Sequence, residues 1–477
     1  MANRVVKGVQ WSAIQQFLTQ IIQFVVTIVL ARILEPEEFG LVAVCMIILA
    51  ILQVINETGF GAALMQKLDR DETDFFSFFI LNIVMGIALY LLLFISAPLL
   101  AEIFKLPELT TVVRILGLNL IISSFIVVQR TKLLINVDFK TWTKASVGGA
   151  IIAGAIGILM AYKGAGVYAL VAQSLFSNFL SVVAIWCMVK WRPNFNFSFN
   201  RLKSLFQFAY KLILARLINV VFNEIYSSVV ALFFNPTQLA FFNRAKSFEY
   251  ISSNNIVTIV QRVAVPVMCE KQKSKDDLRK VTLSFIKTTG LIIIPLIVLL
   301  YVLANPLIIC LLTDKWIESA YILKIICIAG FFYNISAFNL NIYNATGRTD
   351  LALKCEVVKK ITSVLIIASA LILKNFDVLV WSYTACAIVE CILNILFVKT
   401  QINTSIIQQF QGLLSPLAAG IAMGLIVYAL TFISLNPYIQ LFVFGIMGLI
   451  LYAVICYLFN ICECRNILKS FKGKTQD

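Results

Sequence analysis

The chain has 477 residues, of which 60% are hydrophobic and 13% charged, and its mean hydropathy is +0.92. A soluble fold has too little interior to bury so much apolar surface, so the composition predicts a polytopic membrane protein. The 39 Lys and Arg against 24 Asp and Glu give a formal charge of +15, and the sequence contains no His. This excludes Ser–His and Cys–His nucleophile pairs, two-His zinc motifs and His proton relays.

Apolar runs long enough to cross a bilayer as a helix, about 20 residues, occur fourteen times. They cover residues 12–31, 39–62, 75–98, 112–129, 145–162, 165–189, 207–234, 239–267, 282–304, 319–342, 355–373, 378–398, 412–433 and 438–460. The longest connections, 190–206 and 268–281, are too short to form a separate domain. We therefore expect an all-α bundle of about fourteen transmembrane helices that functions within the membrane, with no catalytic residue, metal or cofactor. A membrane enzyme is the alternative from a different class.

The distribution of Lys and Arg predicts the orientation of the spans. With the amino terminus in the cytoplasm, 24 of these residues fall on the cytoplasmic side and 5 on the other. This bias is the positive-inside rule, and it places both termini in the cytoplasm. Most of the +15 charge is thereby explained as topology, and we expect no nucleic acid as partner because no basic run is long enough to form a binding face.

The sequence contains a weak internal repeat at an offset of roughly 200 residues. Three pairs of segments match in order: ILEPEEFGL (33–41) with FFNPTQLAF (233–241), SAPLLAEIFKL (96–106) with ANPLIICLLTD (304–314), and AIGILM (155–160) with ASALIL (368–373). Each repeat holds six spans, an even number, so both copies enter the membrane from the same side as parallel repeats. The repeat predicts an N-lobe (1–200), a C-lobe (201–402) and an appended pair of helices with a cytoplasmic tail (403–477), the lobes surrounding a central cavity.

Polar residues recur on one face of the first span of each repeat. Span 1 carries Gln16, Gln20 and Gln23, and span 7 carries Arg216, Asn219 and Asn223, at helical spacing. The offset of 200 places Gln16 on Arg216 and Gln23 on Asn223. Two matching stripes favour a shared water-filled cavity that binds substrate, and interhelical hydrogen bonding within each repeat is the alternative.

Charged residues inside spans are costly in hydrocarbon and mark cavities or ion pairs. Arg244 and Lys246 in span 8 join Arg216 as candidate ligands for an anion, because a guanidinium matches the geometry of phosphate. The alternative pairs Arg216 with Glu224 or Glu249. The carboxylates Glu57, Glu224, Glu249 and Glu390 are candidates for coupling to a proton or sodium ion. Five further cations near span ends are expected to extend to the membrane surface: Lys211, Arg262, Lys324, Lys359 and Lys360.

Several segments of the chain resemble polysaccharide exporters of the Wzx type, especially the colanic-acid and teichuronic-acid branch. The most specific are LARILEPEEFGLVA near the amino terminus and NATGRTD (344–350), joined by GFGAALMQK (59–67) and FNRAKSFEYI (242–251). The resemblance covers essentially the whole chain. It implies membership of the multidrug/oligosaccharidyl-lipid/polysaccharide flippase superfamily, whose members have 12 or 14 helices in two six-helix lobes.

The resemblance further implies a function and a location. The expected activity is the flipping of an undecaprenyl-diphosphate-linked oligosaccharide, as the repeat unit of a lipopolysaccharide, capsule or exopolysaccharide, across the bacterial cytoplasmic (inner) membrane by alternating access. Expected partners are this lipid-linked substrate, membrane lipid, a polysaccharide polymerase and a chain-length regulator. A lipid II flippase is an open alternative within the superfamily. A multidrug exporter fits less well, because a cavity lined by Arg and Lys disfavours cations and span 1 has no acidic residue.

Overall fold

The structure, a computed structural model, describes residues 2–67, 69–433 and 435–459. Within these ranges all regular secondary structure is helical, which confirms the all-α prediction. The predicted cytoplasmic tail (460–477) lies outside the described residues.

Within the described residues, every predicted run falls on one helix or on consecutive helical segments, the last run on α18, a π-helical segment (Gln440–Phe444) and α19. The helices of the first part are α1 (Ala2–Ile33), α2 (Pro36–Gln66), α3 (Glu72–Ile103), α4 (Leu109–Ser124), α5 (Val127–Ile135), α6 (Phe139–Tyr162), α7 (Val167–Met188), α8 (Phe199–Asn223) and α9 (Ile225–Phe233). They are followed by α10 (Pro236–Ser252), α11 (Asn254–Glu270), α12 (Lys275–Val302), α13 (Ala304–Leu312), α14 (Ile317–Thr346), α15 (Thr349–Ile372), α16 (Phe376–Ile402), α17 (Ile406–Thr431), α18 (Pro437–Ile439) and α19 (Gly445–Leu458).

Ten of the described helical segments are long and apolar enough to cross a membrane. The number rises to twelve when two bent pairs each count as one span: α4 with α5, bent by 43°, and α8 with α9, bent by 53°. The two remaining predicted spans, α10–α11 and α15, are helical but are interrupted or carry more charge. The multi-span membrane architecture is thus confirmed, and the count of fourteen stays a prediction.

The first match of the sequence repeat corresponds to the same helix break in both copies. α1 ends at Ile33 and α2 begins at Pro36, whereas 200 residues later α9 ends at Phe233 and α10 begins at Pro236. Proline suits the first position of a helix, because its missing N–H would find no intrahelical partner there. The second match is not a shared break.

Side chains form hydrogen bonds with the backbone at both breaks. In the first, the backbone N–H of Glu35 donates to the carboxylate of Glu38 at 2.8 Å. In the second, the backbone N–H of Gln238 donates to the side-chain oxygen of Asn235 at 2.7 Å. These bonds satisfy backbone groups that a helix end leaves without partners.

The chain forms two compact units, Met1–Ala240 and Phe241–Asp477. In the first unit, small residues on α6 allow close packing: a side chain at Gly154 would overlap Val26 of α1, and one at Gly149 would overlap Ser181 of α7. Such small-residue contacts are typical of membrane helix pairs. α8 packs mainly on α2, so α8 and α9, which the repeat assigns to the C-lobe, belong by packing to this unit. The lobe boundaries therefore stay predictions.

The second unit is built around α14, which packs on α11, α12, α13 and α16. Its buried side chains include Ile335, Phe338 and Ile342. α12 also packs on α17, and α15 packs on α16. Buried amides add hydrogen bonds to this apolar core, since Asn339 and Gln409 exchange bonds of 2.8 and 3.1 Å between α14 and α17.

Candidate functional site

The predicted stripe of span 7 forms one exposed face of α8. Arg216, Asn219 and Asn223 are spaced by three and four residues, so they project from the same side of the helix, and all three are exposed. Among the described residues of its unit, Arg216 makes no ion pair, so it does not pair with Glu224. The guanidinium of Arg216 and the amides of Asn219 and Asn223 are thus exposed within the span. A purely apolar helix would have hydrocarbon side chains at these positions.

Glu224 occupies the junction between α8 and α9, where the helix axis bends by 53°. Its N–H still bonds to the carbonyl of Val220 at 3.0 Å, and its carbonyl accepts the N–H of Ser228 at 2.8 Å. The junction contains neither Pro nor Gly, two residues that commonly mark a bend in a helix, so this bend could not be predicted from the sequence. The bend places a half-buried carboxylate one residue beyond the polar face of α8.

The predicted stripe of span 1 lies along α1. Gln16 and Gln23 are exposed and Gln20 is half-buried, whereas Val26 and Leu30 farther along the helix are buried. The amide of Gln15 donates to the hydroxyl of Thr19 at 3.4 Å, so part of the polar surface is satisfied within the helix. Amides in a spanning helix need hydrogen-bond partners from protein, water or a polar ligand, because hydrocarbon offers none.

Arg244 lies on α10 in the second unit and is half-buried. Its guanidinium carbon is 5.5 Å from the ring centroid of Trp316, which is fully buried and is packed edge-on by Phe241. A guanidinium can stack with its flat face on an aromatic ring while the N–H groups at its edge donate hydrogen bonds. No role was predicted for Trp316 from the sequence, because it is far from Arg244 along the chain and the two side chains meet only in the folded protein.

Lys246 and Glu249 share α10 with Arg244. Glu249 is buried, its carboxylate accepts a hydrogen bond from the hydroxyl of Ser253, and a side chain at Gly330 of α14 would overlap it. Lys246, one turn earlier, acts electrostatically on this carboxylate. The positive charge that Arg244 and Lys246 give to α10 is therefore partly offset by the carboxylate of Glu249 on the same helix.

Glu390 of α16 faces α15, and its carboxylate accepts a hydrogen bond of 3.1 Å from the hydroxyl of Ser363. Lys359, one turn before Ser363 on the same face of α15, is buried and pairs with Glu356. The prediction that Lys359 extends to the membrane surface is therefore wrong, because α16 covers this face. The side chain of Glu57, the remaining predicted coupling carboxylate, lies outside the described residues.

A charged network around the start of α3 was missed by sequence reasoning. Asp74 is buried and receives Lys67 at 2.7 Å and Arg201 at 3.4 Å. Asp71, the N-cap of α3, lies 2.5 Å from the same nitrogen of Arg201. The available signal was the mainly acidic segment 69–74, two residues after Lys67, which only the fold connects to α8.

The network perturbs the acid–base properties of its exposed pair. The pKa of Asp71 is lowered, first by the hydrogen bond from the backbone N–H of Asp74 and further by Arg201. The pKa of Arg201 is raised, chiefly by its hydrogen bond to Asp71. Both shifts favour the charged forms, so the pair is ionised at neutral pH.

Residues 29–321 match the family model described as "Polysaccharide biosynthesis protein", which is more than half of the chain. The chain belongs to this family. The predicted resemblance to polysaccharide exporters is thereby confirmed.

Several curated relatives match most of the length of the chain. It is 24% identical to the teichuronic acid biosynthesis protein TuaB of Bacillus subtilis (strain 168) over 477 residues, 98% of each chain. It is 24% identical to the succinoglycan biosynthesis transport protein ExoT of Rhizobium meliloti (strain 1021), over 69% of this chain and 66% of that one. It is 22% identical to the lipopolysaccharide biosynthesis protein WzxC of Escherichia coli (strain K12), over 75% and 73%.

Two solved structures share the fold of the chain. The lipid II flippase MurJ in an inward closed conformation has a TM-score of 0.76 at 15% identity and covers 96% of this chain and 100% of its own. An inward-facing multidrug resistance MATE family transporter of the MOP superfamily has a TM-score of 0.62 at 16% identity, over 81% and 96%. At such identities the likeness establishes the transporter fold and leaves the substrate to other observations.

Proposed function

We propose that the protein flips an undecaprenyl-diphosphate-linked oligosaccharide from the inner to the outer leaflet of the bacterial cytoplasmic membrane. Family membership supports a role in polysaccharide biosynthesis. The relatives support transport, since one carries the name of a succinoglycan biosynthesis transport protein. The orientation with both termini in the cytoplasm, and the partnership with a polymerase and a chain-length regulator, belong to the same proposal.

The exposed face of α8 is the observation that carries this function. Arg216 supplies a permanent cation with the forked geometry that fits a diphosphate. Asn219 and Asn223 follow on the same face and supply amides that both donate to and accept from sugar hydroxyls. Such a face suits a substrate with a charged head and a neutral polar chain.

Each unit also carries further polar or charged side chains that can bind parts of the substrate. On α1, Gln16, Gln20 and Gln23 supply additional amides for sugar hydroxyls. Because an amide both donates and accepts hydrogen bonds, this binding does not require one defined oligosaccharide. On α10, Arg244 and Lys246 supply further cations for phosphate. The prenyl tail needs no dedicated polar group, because it remains in lipid.

Coupling to an ion gradient is assigned here to a carboxylate that ions can reach. Glu390 is only half-buried, whereas Glu249 is buried against Gly330 and Ser253. Glu224 is also half-buried, but the carboxylate of Glu390 has a hydrogen-bond partner on the neighbouring helix, the hydroxyl of Ser363 at 3.1 Å. We therefore favour Glu390 among the candidates as the coupling residue.

The decisive experiment is transport of a defined, fluorescently labelled lipid-linked oligosaccharide in proteoliposomes. A reagent that cannot cross the membrane reacts only with label in the outer leaflet of the vesicle. The fraction of label that reacts therefore reports how much lipid has changed leaflet. We expect transfer with the protein, none with empty vesicles, and faster transfer under an imposed proton or sodium gradient. Parallel assays with lipid II and with a cationic dye test the alternatives, and transfer of either of these in place of the oligosaccharide contradicts the proposal.

A further inference from the structure

A cationic cavity lies in the first unit beside the extended linker between α7 and α8. Its volume is about 550 Å³. Its polar lining comprises three cations, one acid and two amides: Lys132, Lys190, Arg192, Glu72, Asn136 and Asn194. The functional site assigned above uses none of these residues.

Arg192 is held in place by the linker itself. Its guanidinium donates to the carbonyls of Val189 and Trp191 at 2.8 Å each and to that of Trp186 at 3.0 Å. It also lies over the ring of Trp186, with 5.6 Å from the guanidinium carbon to the ring centroid. A cation fixed in this way loses little conformational entropy when it binds an anion.

The carboxylate of Glu72, the acidic residue of the cavity, already accepts two hydrogen bonds. One oxygen of Glu72 accepts from the ammonium of Lys132 and the other from the indole N–H of Trp191, both at 2.7 Å. The same ammonium lies 4.3 Å from the ring centroid of Phe75. Because Lys132 neutralises Glu72, the net charge of the cavity is the positive charge of Lys190 and Arg192, and the cavity attracts an anion.

Exposed aromatic rings follow this cavity along the linker. Phe195 is 81% exposed, and Phe197 and Phe199 are 52% and 71% exposed. Aromatic rings next to Lys and Arg are typical of the interface between headgroups and acyl chains. The distribution of charge puts this end of the unit on the cytoplasmic side, where leaflets carry anionic lipid.

We propose that this cavity binds the phosphate headgroup of an anionic phospholipid of the cytoplasmic leaflet. Lys190 and Arg192 contact the phosphate, and the exposed phenylalanines contact the acyl chains. The diphosphate of a lipid-linked sugar shares this chemistry, but the position beside interfacial rings favours a resident membrane lipid. Since the linker leads directly into α8, a bound headgroup fixes the start of the helix that carries Arg216.

The proposal is tested by lipid binding to the full chain in detergent, measured by native mass spectrometry with phosphatidylglycerol and with phosphatidylcholine. We expect a preference of at least about tenfold for phosphatidylglycerol, equivalent to about 1.4 kcal/mol. Lys190→Glu, a change at an exposed side chain, should reduce the preference to below about threefold, as a reversed charge repels the phosphate. The matched change Lys271→Glu, also exposed and on the same predicted side, should leave it unchanged.

Competition distinguishes the two sources of phosphate. Phosphatidylglycerol binding that depends on Lys190 and survives an excess of lipid-linked diphosphate oligosaccharide supports the proposal. Absence of a headgroup preference in the wild type, or a preference that Lys190→Glu leaves intact, overturns it. Binding of the lipid-linked diphosphate alone, with loss in Lys190→Glu, replaces it by a substrate-docking site. Because the measurement is binding, its outcome is independent of whether the protein transports the proposed oligosaccharide.

A second variant guards against a folding defect. Arg192→Gln removes the charge, but it also removes hydrogen bonds that shape the linker, so its unfolding temperature is measured alongside. Loss of lipid preference in Lys190→Glu with an unfolding temperature within about 2 °C of wild type supports the headgroup site. Full preference in both variants contradicts it.

Discussion

Arg201, in the first turn of α8, places one guanidinium nitrogen 2.5 Å from Asp71 and 3.4 Å from the buried Asp74 at the start of α3. The helix with the candidate ligand face is thereby attached to α3 by ion pairs. A second tie joins the same elements, since the backbone N–H of Ser198 donates to the hydroxyl of Ser77 at 2.9 Å. Changes in this network should therefore act on the position and stability of α8 rather than on its polar face.

Asp74→Asn should destabilise the protein by about 1–3 kcal/mol, because it leaves Lys67 and Arg201 facing a neutral group at a buried position. Asp69→Asn, an exposed change five residues earlier, is the control and should stay within about 0.5 kcal/mol of wild type. Thermal unfolding in detergent, followed by tryptophan fluorescence, measures both. Equal unfolding temperatures for the two variants would show that the network does not stabilise the unit.

The contribution of Asp71 to stability should disappear in acid. Because its pKa is lowered in the folded protein, its contribution is fully present above the ordinary aspartate value of about 3.9 and is lost as the pH falls through the lower folded-state value. The difference in unfolding temperature between wild type and Asp71→Asn should thus be constant from neutral pH to about 5 and shrink below about 4. A difference already lost at pH 6 would assign the effect to another group.

Arg216→Gln should reduce oligosaccharide transfer at least about tenfold while the protein remains in the membrane. A hydrogen bond to a charged group contributes about 1.5–3 kcal/mol, which corresponds to factors of about 10 to 100. Lys211→Gln removes an exposed cation from another side of the same helix and should leave transfer unchanged. Wild-type transfer by both Arg216→Ala and Arg244→Ala would rule out the proposed anion site.

Arg244 and Trp316 should be energetically coupled. Arg244→Gln and Trp316→Phe, separately and together, form a double-mutant cycle whose coupling energy we expect at about 0.5–2 kcal/mol, the range of a cation–π pair. Lys246→Gln in place of Arg244→Gln should show no coupling to Trp316. A coupling energy near zero would mean that the stacking does not contribute to stability.

Glu390→Gln should abolish the stimulation of transfer by an ion gradient and preserve transfer down a substrate gradient. The amide oxygen can still accept the hydrogen bond from Ser363, so the fold is kept while the titratable group is lost. Glu249→Gln is the comparison and should retain the stimulation. Undiminished stimulation in Glu390→Gln would transfer the coupling role to another carboxylate.

The helix positions and the first repeat match could be predicted from sequence because they depend on local signals. Apolar length marks the spans, and Pro36 and Pro236 mark the two equivalent breaks. The second match, Pro98 with Pro306, shows the limit of such reasoning. Pro98 lies inside the continuous α3, whereas Pro306 lies in α13 just after a break at Leu303.

The partners of charged side chains could not be predicted, because they come from helices distant in sequence. Lys359 looked like a residue near a span end, and only the packing of α16 on α15 buries it. Arg244 was predicted as an anion ligand, and its stacking on Trp316 could not be predicted from the sequence. The stripe on α8 was predictable in position, since helical spacing alone defines the shared face.

The linker between α7 and α8 also has a consequence for biosynthesis. Trp191 and Ser198 bond to Glu72 and Ser77, which precede them by 119 and 121 residues. During translation these acceptors are therefore in place long before the linker leaves the ribosome. The first six spans can act as a template on which α8 is positioned as it is made, so a mutation in α3 can disturb the insertion of a helix that has not yet been synthesised.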